Sequence, residues 1–422
     1  MRAFYTGLFY LSIPVIVLRL LWRGIKAPAY RQRWSERFAI YPKEPSLADI
    51  WFHAVSVGEA EALFPLIRRI QQKYPKAKLL VTTTTPTGSA RVKAVLANDV
   101  AHVYLPYDLP DAVSRFMQQF KPGLAVIVET EIWPNLYAFC GKNNIPLYLI
   151  NARLSEKSTR NYQKIPWLIR PSLAQATCIA TQSEEDTKRF AAISGDIGSI
   201  ITMGNIKFDV VIAPGLVAEG LEVKARLFPD RFVWVIASSH HGEEALLLDS
   251  YQEAKQRLPR LLLVIAPRHP ERFVDVKKLC EQNQLKVATR TAGEVCSQDT
   301  DIYLLDTLGE LKLFYAAADV AFIGGSMVPV GGHNILEAAA IGVPILFGPH
   351  MSNFKNIAYS ILQRDAAIQC QDKDAVSKAI LMLYAEPSRR ESLVVNAKVF
   401  IRQNQGVIDK LVEMLGQHIK SD

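Results

Sequence analysis

Four charged side chains stand where acid–base chemistry is done, at the ends of apolar runs: Glu59 in VSVGE, Glu129 and Glu131 in VIVETEIWPN, and Lys207 in MGNIKFD. In HAVSVGEAEALFPLI a run with the character of a buried strand ends at Gly58 and opens a helix with Glu59. The glycine lets the backbone turn sharply, and a glutamate in a first helical turn meets the positive end of the dipole, which favours its ionised form by about 0.3–1 kcal/mol. An ionised carboxylate in that place is a candidate general base. The same pattern also suits a helix-start charge that stabilises only its own helix. Glu129 and Glu131 are two apart, so on a strand that continues through them they project from one face. Carboxylates there are costly without partners, so they bind substrate hydroxyls, orient a catalytic group or pair with a cation. Lys207 suits an anionic group, or is simply solvated.

The second half carries groups suited to phosphate. Arg268 and His269 in APRHPERF directly follow an apolar strand, where a cation is well placed to meet an anion. Leu308, Gly309 and Glu310 stand at the mouth of a helix after another strand. In GGHNILEAAAIGVPILFGPH, Gly331 and Gly332 permit close backbone approach and His333 and Asn334 open a helix. The amides of that helix start can bind a phosphate, and Glu337, a turn further on, can accept from ribose hydroxyls. An ordinary capped helix, with Asn334 as cap and Glu337 as box partner, fits the same letters. TTTTPTGSARV is a weaker candidate cradle. ASSHHGEE matches no usual metal-ligand spacing, and no H-E-x-x-H, phosphate-loop or nucleophile-elbow motif occurs. Neither a metal nor a cofactor is expected.

The elements that must hold these residues alternate. With 422 residues, 49% of them hydrophobic, two α/β domains are expected. From residue 50 onward DIWFHAVSV, KLLVTTTT, GLAVIVETE, PLYLINARL, ATCIATQ and SIITMG are strand-like runs spaced by amphipathic segments, which means a parallel sheet covered on both faces. After DVVIAPGLVAEG a second series follows: FVWVIASSH, RLLLVIAPRH, LKVATR, DIYLLD, DVAFIGGS and PILFGPH. The expected organisation is an anchor and basic segment over 1–40, a Rossmann-like domain over 41–212 and a second Rossmann-like domain over 213–422. Two such domains facing across a cleft would line it with strand-end loops.

Ala3 to Leu18 is free of charge and rich in aromatic and branched residues, and basic residues follow. Arg2, Arg19, Arg23, Lys26, Arg31, Arg33 and Arg37 face only Glu36 in the first forty residues, which hold most of the net charge of +8. That distribution speaks against a nucleic-acid-binding protein. It suits a membrane anchor that either spans or lies in the interface, with the downstream domains in the cytoplasm by the positive-inside rule. Five scattered cysteines, an odd number without a C-x-x-C pair, fit a reducing compartment.

Taken in order, APAYRQRWSERF, VSVGE, TPTGS, YLPYDLPDA, ETEIWPNL, NARLS, KFD, PRHPERF, GGHNILEAAA and FGPHMSNFK make the chain similar, over nearly its whole length, to the 3-deoxy-D-manno-octulosonic acid (Kdo) transferases of Gram-negative lipopolysaccharide synthesis. The resemblance implies an α/β fold of the GT-B type with an N-terminal membrane-anchor helix, CMP-Kdo as donor and the lipid A precursor (lipid IVA) as acceptor, at the cytoplasmic side of the inner membrane. It further implies Glu59 as proton acceptor, Glu129 and Lys207 as stabilisers of the transition state, and CMP contacts at Pro267, Arg268, Leu308, Gly309, Glu310, Asn334, Ile335, Leu336 and Glu337. Leu308 stands where the family commonly has Met, and Ile335 where it has Pro. The alternatives are a GT-B enzyme using a UDP-sugar and a non-catalytic, membrane-tethered sugar-nucleotide-binding protein.

Overall fold

The apolar runs form two parallel sheets of seven strands each in a computed structural model that describes residues 1–41, 46–195 and 199–419. The first sheet contains β1 (Ile50–His53), β2 (Leu79–Thr83), β3 (Ala101–Tyr104), β4 (Leu124–Val128), β5 (Leu147–Ala152), β6 (Cys178–Thr181) and β7 (Ile200–Thr202). Its order is β3-β2-β1-β4-β5-β6-β7, with Phe52 of β1 in register with Val81 on one side and Val126 on the other. The chain winds outward from β1 to β3, then crosses to β4 and winds the other way, so the topological switch point lies between β1 and β4. The second sheet contains β8 (Phe232–Ser239), β9 (Leu261–Pro267), β10 (Val287–Thr289), β11 (Ile302–Leu304), β12 (Val320–Ile323), β13 (Ile345–Phe347) and β14 (Ile368–Gln369). Its order, β10-β11-β9-β8-β12-β13-β14, puts the second switch point between β8 and β12.

Central strands are buried at nearly every position because helices cover both faces. On β1, Ile50 and Phe52 face one core with Ala60, Leu63 and Ile67 of helix α2 (Val57–Lys73), reached after α1 (Arg2–Lys26). Trp51 faces the other, with its ring 4.9 Å from that of Phe116. Phe116 belongs to α4 (Pro110–Phe120), which follows α3 (Pro86–Leu96) and precedes α5 (Pro134–Lys142). Phe9 and Ile13 of α1 pack against this second core.

The chain divides into residues 1–209 with 404–422, and residues 210–403. This differs at the C-terminal end from the domain expected over 213–422. Val407, Ile408, Leu411, Val412 and Leu415 of the last helix, Val407–Gly416, are buried in the core that α2 covers, so the chain returns to the first unit. Asp209 fixes the return by accepting from the Gly406 and Ile408 amides, each at 2.6 Å. The stretch DVVIAPGLVAEG, which separates the two series of strands, already enters the helix Leu216–Leu227. The basic segment after α1 is also partly folded in. Arg33 makes a bidentate pair with Glu36 at 2.6 and 2.7 Å, and buried Arg37 lies 4.3 Å over the Tyr104 ring and donates to the Thr84 carbonyl.

Candidate active site

Glu59 enters α2 as the third residue after Ser56, and the local sequence closes a reciprocal cap. The Ser56 hydroxyl donates to Glu59 Oε1 at 2.8 Å, and the Val55 amide donates to Oε2 at 2.7 Å. The helix-start reading holds, since the side chain caps its own helix, and the residue also stands at the carboxyl end of β1, beside the switch point. The direction of its pKa is opposite to the one the dipole argument gives. Burial pushes the carboxyl above its ordinary range, against the pull of the Val55 amide and the Ser56 hydroxyl.

Glu129 follows β4, the strand next to β1. Its φ of 61° ends the strand one residue earlier than a continuous run requires, so the alternation expected to align it with Glu131 does not operate. The two carboxylates nevertheless share one electrostatic neighbourhood with Glu59. Burial first, then Glu59 and Glu129, raise the Glu131 carboxyl to about 7. A non-glycine residue in the left-handed region is strained, and here the Glu129 amide is held by the Ile150 carbonyl at 2.9 Å while Arg153 donates to its Oε2 at 3.0 Å.

Lys207 belongs to the same cluster and is half-buried. The Asn205 side chain accepts from its amide at 3.0 Å, and Asn151 accepts from the Ile206 amide at 3.1 Å. Burial lowers its pKa, opposed by Glu129 and Glu59. Arg153, inside NARLS but not singled out from the sequence, is the added cation. Its signal was position: it follows β5 directly, the strand beside β4. Three carboxylates and two cations thus gather where β1, β4, β5 and the segment after β7 end.

In the second unit Pro267 ends β9 and exposed Arg268 follows, its amide on the Ser239 carbonyl at 3.1 Å. Leu308 is exposed, Gly309 takes a φ of 89°, and the Glu310 carboxylate is held by Arg290 at 2.7 Å, which keeps it below its ordinary range. Ile335 and Leu336 are fully buried, so at those positions the backbone rather than the side chain is what a ligand can meet. Asn334 accepts from the Leu336 amide at 3.0 Å from one residue before the N-cap, which is Ile335 rather than the expected Asn334, and Glu337 lies 3.6 Å from Lys312. Gly332 is required by space: a Cβ there would fall 2.2 Å from the Met351 sulfur.

A histidine pair was not foreseen. His240 after β8 and His333 before the helix Leu336–Ile341 stack with rings 8° apart and Nε2 atoms separated by 2.7 Å, so one ring donates and the other accepts. His269 packs edge-on against His240. Burial lowers both members of the pair, His333 to about 4, and Arg268 lowers both further. The acids of HHGEE are internal braces: buried Glu243 accepts from the Gly325, Ser326 and Met327 amides at 2.7–3.0 Å, and Glu244 pairs with Arg272 at 2.5 Å.

A UDP-GlcNAc 2-epimerase from Neisseria meningitidis shares the fold at 15% identity, covering 87% of this chain and 99% of its own, with a TM-score of 0.56. Two doubly wound parallel sheets of this order give the chain a fold of the GT-B type. Residues 32–210 match the family model described as 3-deoxy-D-manno-octulosonic-acid transferase (kdotransferase). The 3-deoxy-D-manno-octulosonic acid transferase of Haemophilus influenzae is 36% identical over 99% of both chains, and that of Bordetella pertussis is 33% identical over 88% of this chain and 89% of its own. The chain belongs to the Kdo transferase family and is a glycosyltransferase.

Proposed function

We propose that this enzyme transfers Kdo from CMP-Kdo to the lipid A precursor lipid IVA with inversion, releasing CMP at the cytoplasmic face of the inner membrane. The observation that carries the reading is the crowding of Glu59, Glu129 and Glu131 against Arg153 and Lys207 at the first switch point. Glu59 takes the proton of a sugar hydroxyl of the acceptor while that oxygen bonds to the anomeric carbon of Kdo. The bond from that carbon to the phosphate oxygen breaks, and CMP leaves with the electron pair. A carboxylate raised by burial is a stronger base than one lowered by a helix dipole, so its setting suits proton removal better than the sequence alone implied. Glu129 and Lys207 balance charge as it develops, and Arg153 holds Glu129 in its strained conformation.

The donor nucleotide is assigned to the second unit. Arg268 meets the phosphate, the backbone from Leu308 to Glu310 and from Asn334 to Leu336 approaches the nucleotide, and Glu337 accepts from the ribose. Because the Glu310 carboxylate is already bound by Arg290, that position contributes its main chain.

The test is product analysis by mass spectrometry after incubating detergent-solubilised enzyme with CMP-Kdo and lipid IVA, with Glu59→Gln measured in parallel for transfer and for CMP-Kdo binding. Transfer is expected to fall about 10²–10⁴-fold, the usual contribution of a general base, with binding retained. Transfer at the wild-type rate removes Glu59 from the base role. Thermal stabilisation by CMP but not UDP separates the donor from the UDP-sugar alternative.

A further inference from the structure

We propose that α1 is not a transmembrane anchor but an in-plane helix, clamped to the first unit along one face and immersed in the surface of an anionic bilayer along the other. This rests on the membrane-bound reading above and decides how that binding is made.

At about 100° per residue, the side chains of α1 divide into two opposed stripes. Tyr5, Phe9, Ile13 and Leu20 turn towards the protein, and Leu20 and Gly24 are buried. Leu8, Leu11, Val15, Leu18, Trp22 and Ile25 lie on the opposite side and are exposed, Leu11 by 77%. A stripe of large apolar side chains running the length of a helix marks an interaction surface. Its flank names the partner: Arg19 lies beside it, Arg23 follows one turn on, both are exposed, and no acidic residue occurs before Glu36. Apolar side chains in the acyl boundary with arginines at head-group level describe an interfacial helix on anionic lipid.

Polar bonds to the folded unit exclude a crossing. Tyr5 donates to Asp108 at 3.1 Å, Thr6 to Asn135 at 3.1 Å and Tyr10 to Asp111 at 2.5 Å. Beyond the other end, Arg31 covers Gly24 and Arg33 bonds Ser89 and the His102 carbonyl. Both ends are therefore tied to the same unit, whereas a helix crossing about 30 Å of hydrocarbon leaves its first turn on the far side. Asp111 also pairs with Arg115 at 2.8 Å, with both side chains nearly half exposed, and such a pair next to Tyr10 cannot sit at hydrocarbon depth. The clamp has a consequence for the reaction. Asn135 follows Glu131 by four residues, in the same loop and helix start, so the docking of α1 sets the height of the carboxylate cluster above the lipid.

All five native cysteines are buried, so an introduced one reports its own location. The full-length enzyme carrying Arg2→Cys, and separately Glu391→Cys as a marker of the catalytic units, is probed in sealed inside-out and right-side-out membrane vesicles with an impermeant maleimide. Both cysteines are expected to label in inside-out vesicles and neither in right-side-out ones. Labelling of Arg2→Cys only in right-side-out vesicles overturns the in-plane helix while leaving membrane binding intact. In phosphatidylglycerol-containing vesicles, a fluorophore on Leu11→Cys is expected to be quenched more by a nitroxide near the head group than by one near the acyl terminus. The reverse order overturns the proposal. Recovery of the enzyme in the soluble fraction without detergent overturns the membrane reading itself, a result distinct from either of these.

Discussion

At the first switch point Glu59, Glu129 and Glu131 stand together and answer to two cations, and burial raises the carboxyls of Glu59 and Glu131. In the second unit the acids are individually committed: Glu243 to three amides, Glu244 to Arg272 and Glu310 to Arg290, with a neutral histidine pair left facing Arg268. One unit keeps its protons contested. The other has settled them and offers main chain, an arginine and neutral rings. The difference fits a division of labour in which proton transfer belongs to the first unit and nucleotide binding to the second.

The largest effect that could break this comparison is on stability. Glu243→Ala leaves three buried amides without an acceptor, at about 1–3 kcal/mol each, so a loss of about 3 kcal/mol or more is expected in denaturant unfolding. Glu59→Ala removes a helix cap at a half-buried position and should cost only about 1 kcal/mol while abolishing transfer. Equal stability losses would show that the first cluster is as structural as the second.

The two units should also lose stability at opposite ends of the pH scale. Glu131 is raised from 4.5 to about 7, so the native chain holds this proton more tightly than the unfolded one. Unfolding releases it within that window, and stability falls as pH rises from 4.5 through about 7. Glu131→Gln should remove that slope and leave the chain about 2–3 kcal/mol more stable at pH 8. His333 is lowered from 6.5 to about 4, so unfolding takes up a proton there and stability falls as pH drops through that window. His333→Gln should flatten the acid side by about 2 kcal/mol, discounted for partial exposure. Unfolding curves at pH 4.5, 6 and 8 for both variants give the signs directly.

How much of this could be read from the letters depended on what each feature rests on. Twelve of the strands are apolar runs that announce themselves, but β3 (AHVY) and β14 (IQ) are short edge strands of weak pattern, made strands by their neighbours. Glu59 was legible because helix start and strand end coincide in sequence. The strain at Glu129 was not, since a φ of 61° on a glutamate follows from its backbone partner on β5 rather than from any local residue. Arg153, Arg290 and the pairing of His240 with His333 depend on residues about 20 to 90 positions apart, a separation that no periodicity spans. The return of the last helix was hidden for the same reason: its apolar face calls for burial without saying against what.

The smallest and sharpest test sets two arginines against each other. Arg290 grips Glu310 through two nitrogens, with both side chains about one-quarter exposed, while Arg153 meets Glu129 through a single contact and is itself 53% exposed. Arg290→Ala should therefore cost about 1 kcal/mol of stability, and Arg153→Ala about 0.5 kcal/mol or less. Function should run the other way. Without Arg290 the main chain at Leu308–Glu310 loosens, and CMP binding is expected to weaken roughly 5-fold, about 1 kcal/mol, with the rate at saturating donor unchanged. Without Arg153, Glu129 loses its partner beside Glu59 and Glu131, and the saturated rate should fall roughly 10- to 100-fold with CMP binding intact. If both variants altered the same parameter, the separation of proton chemistry from nucleotide binding would not hold.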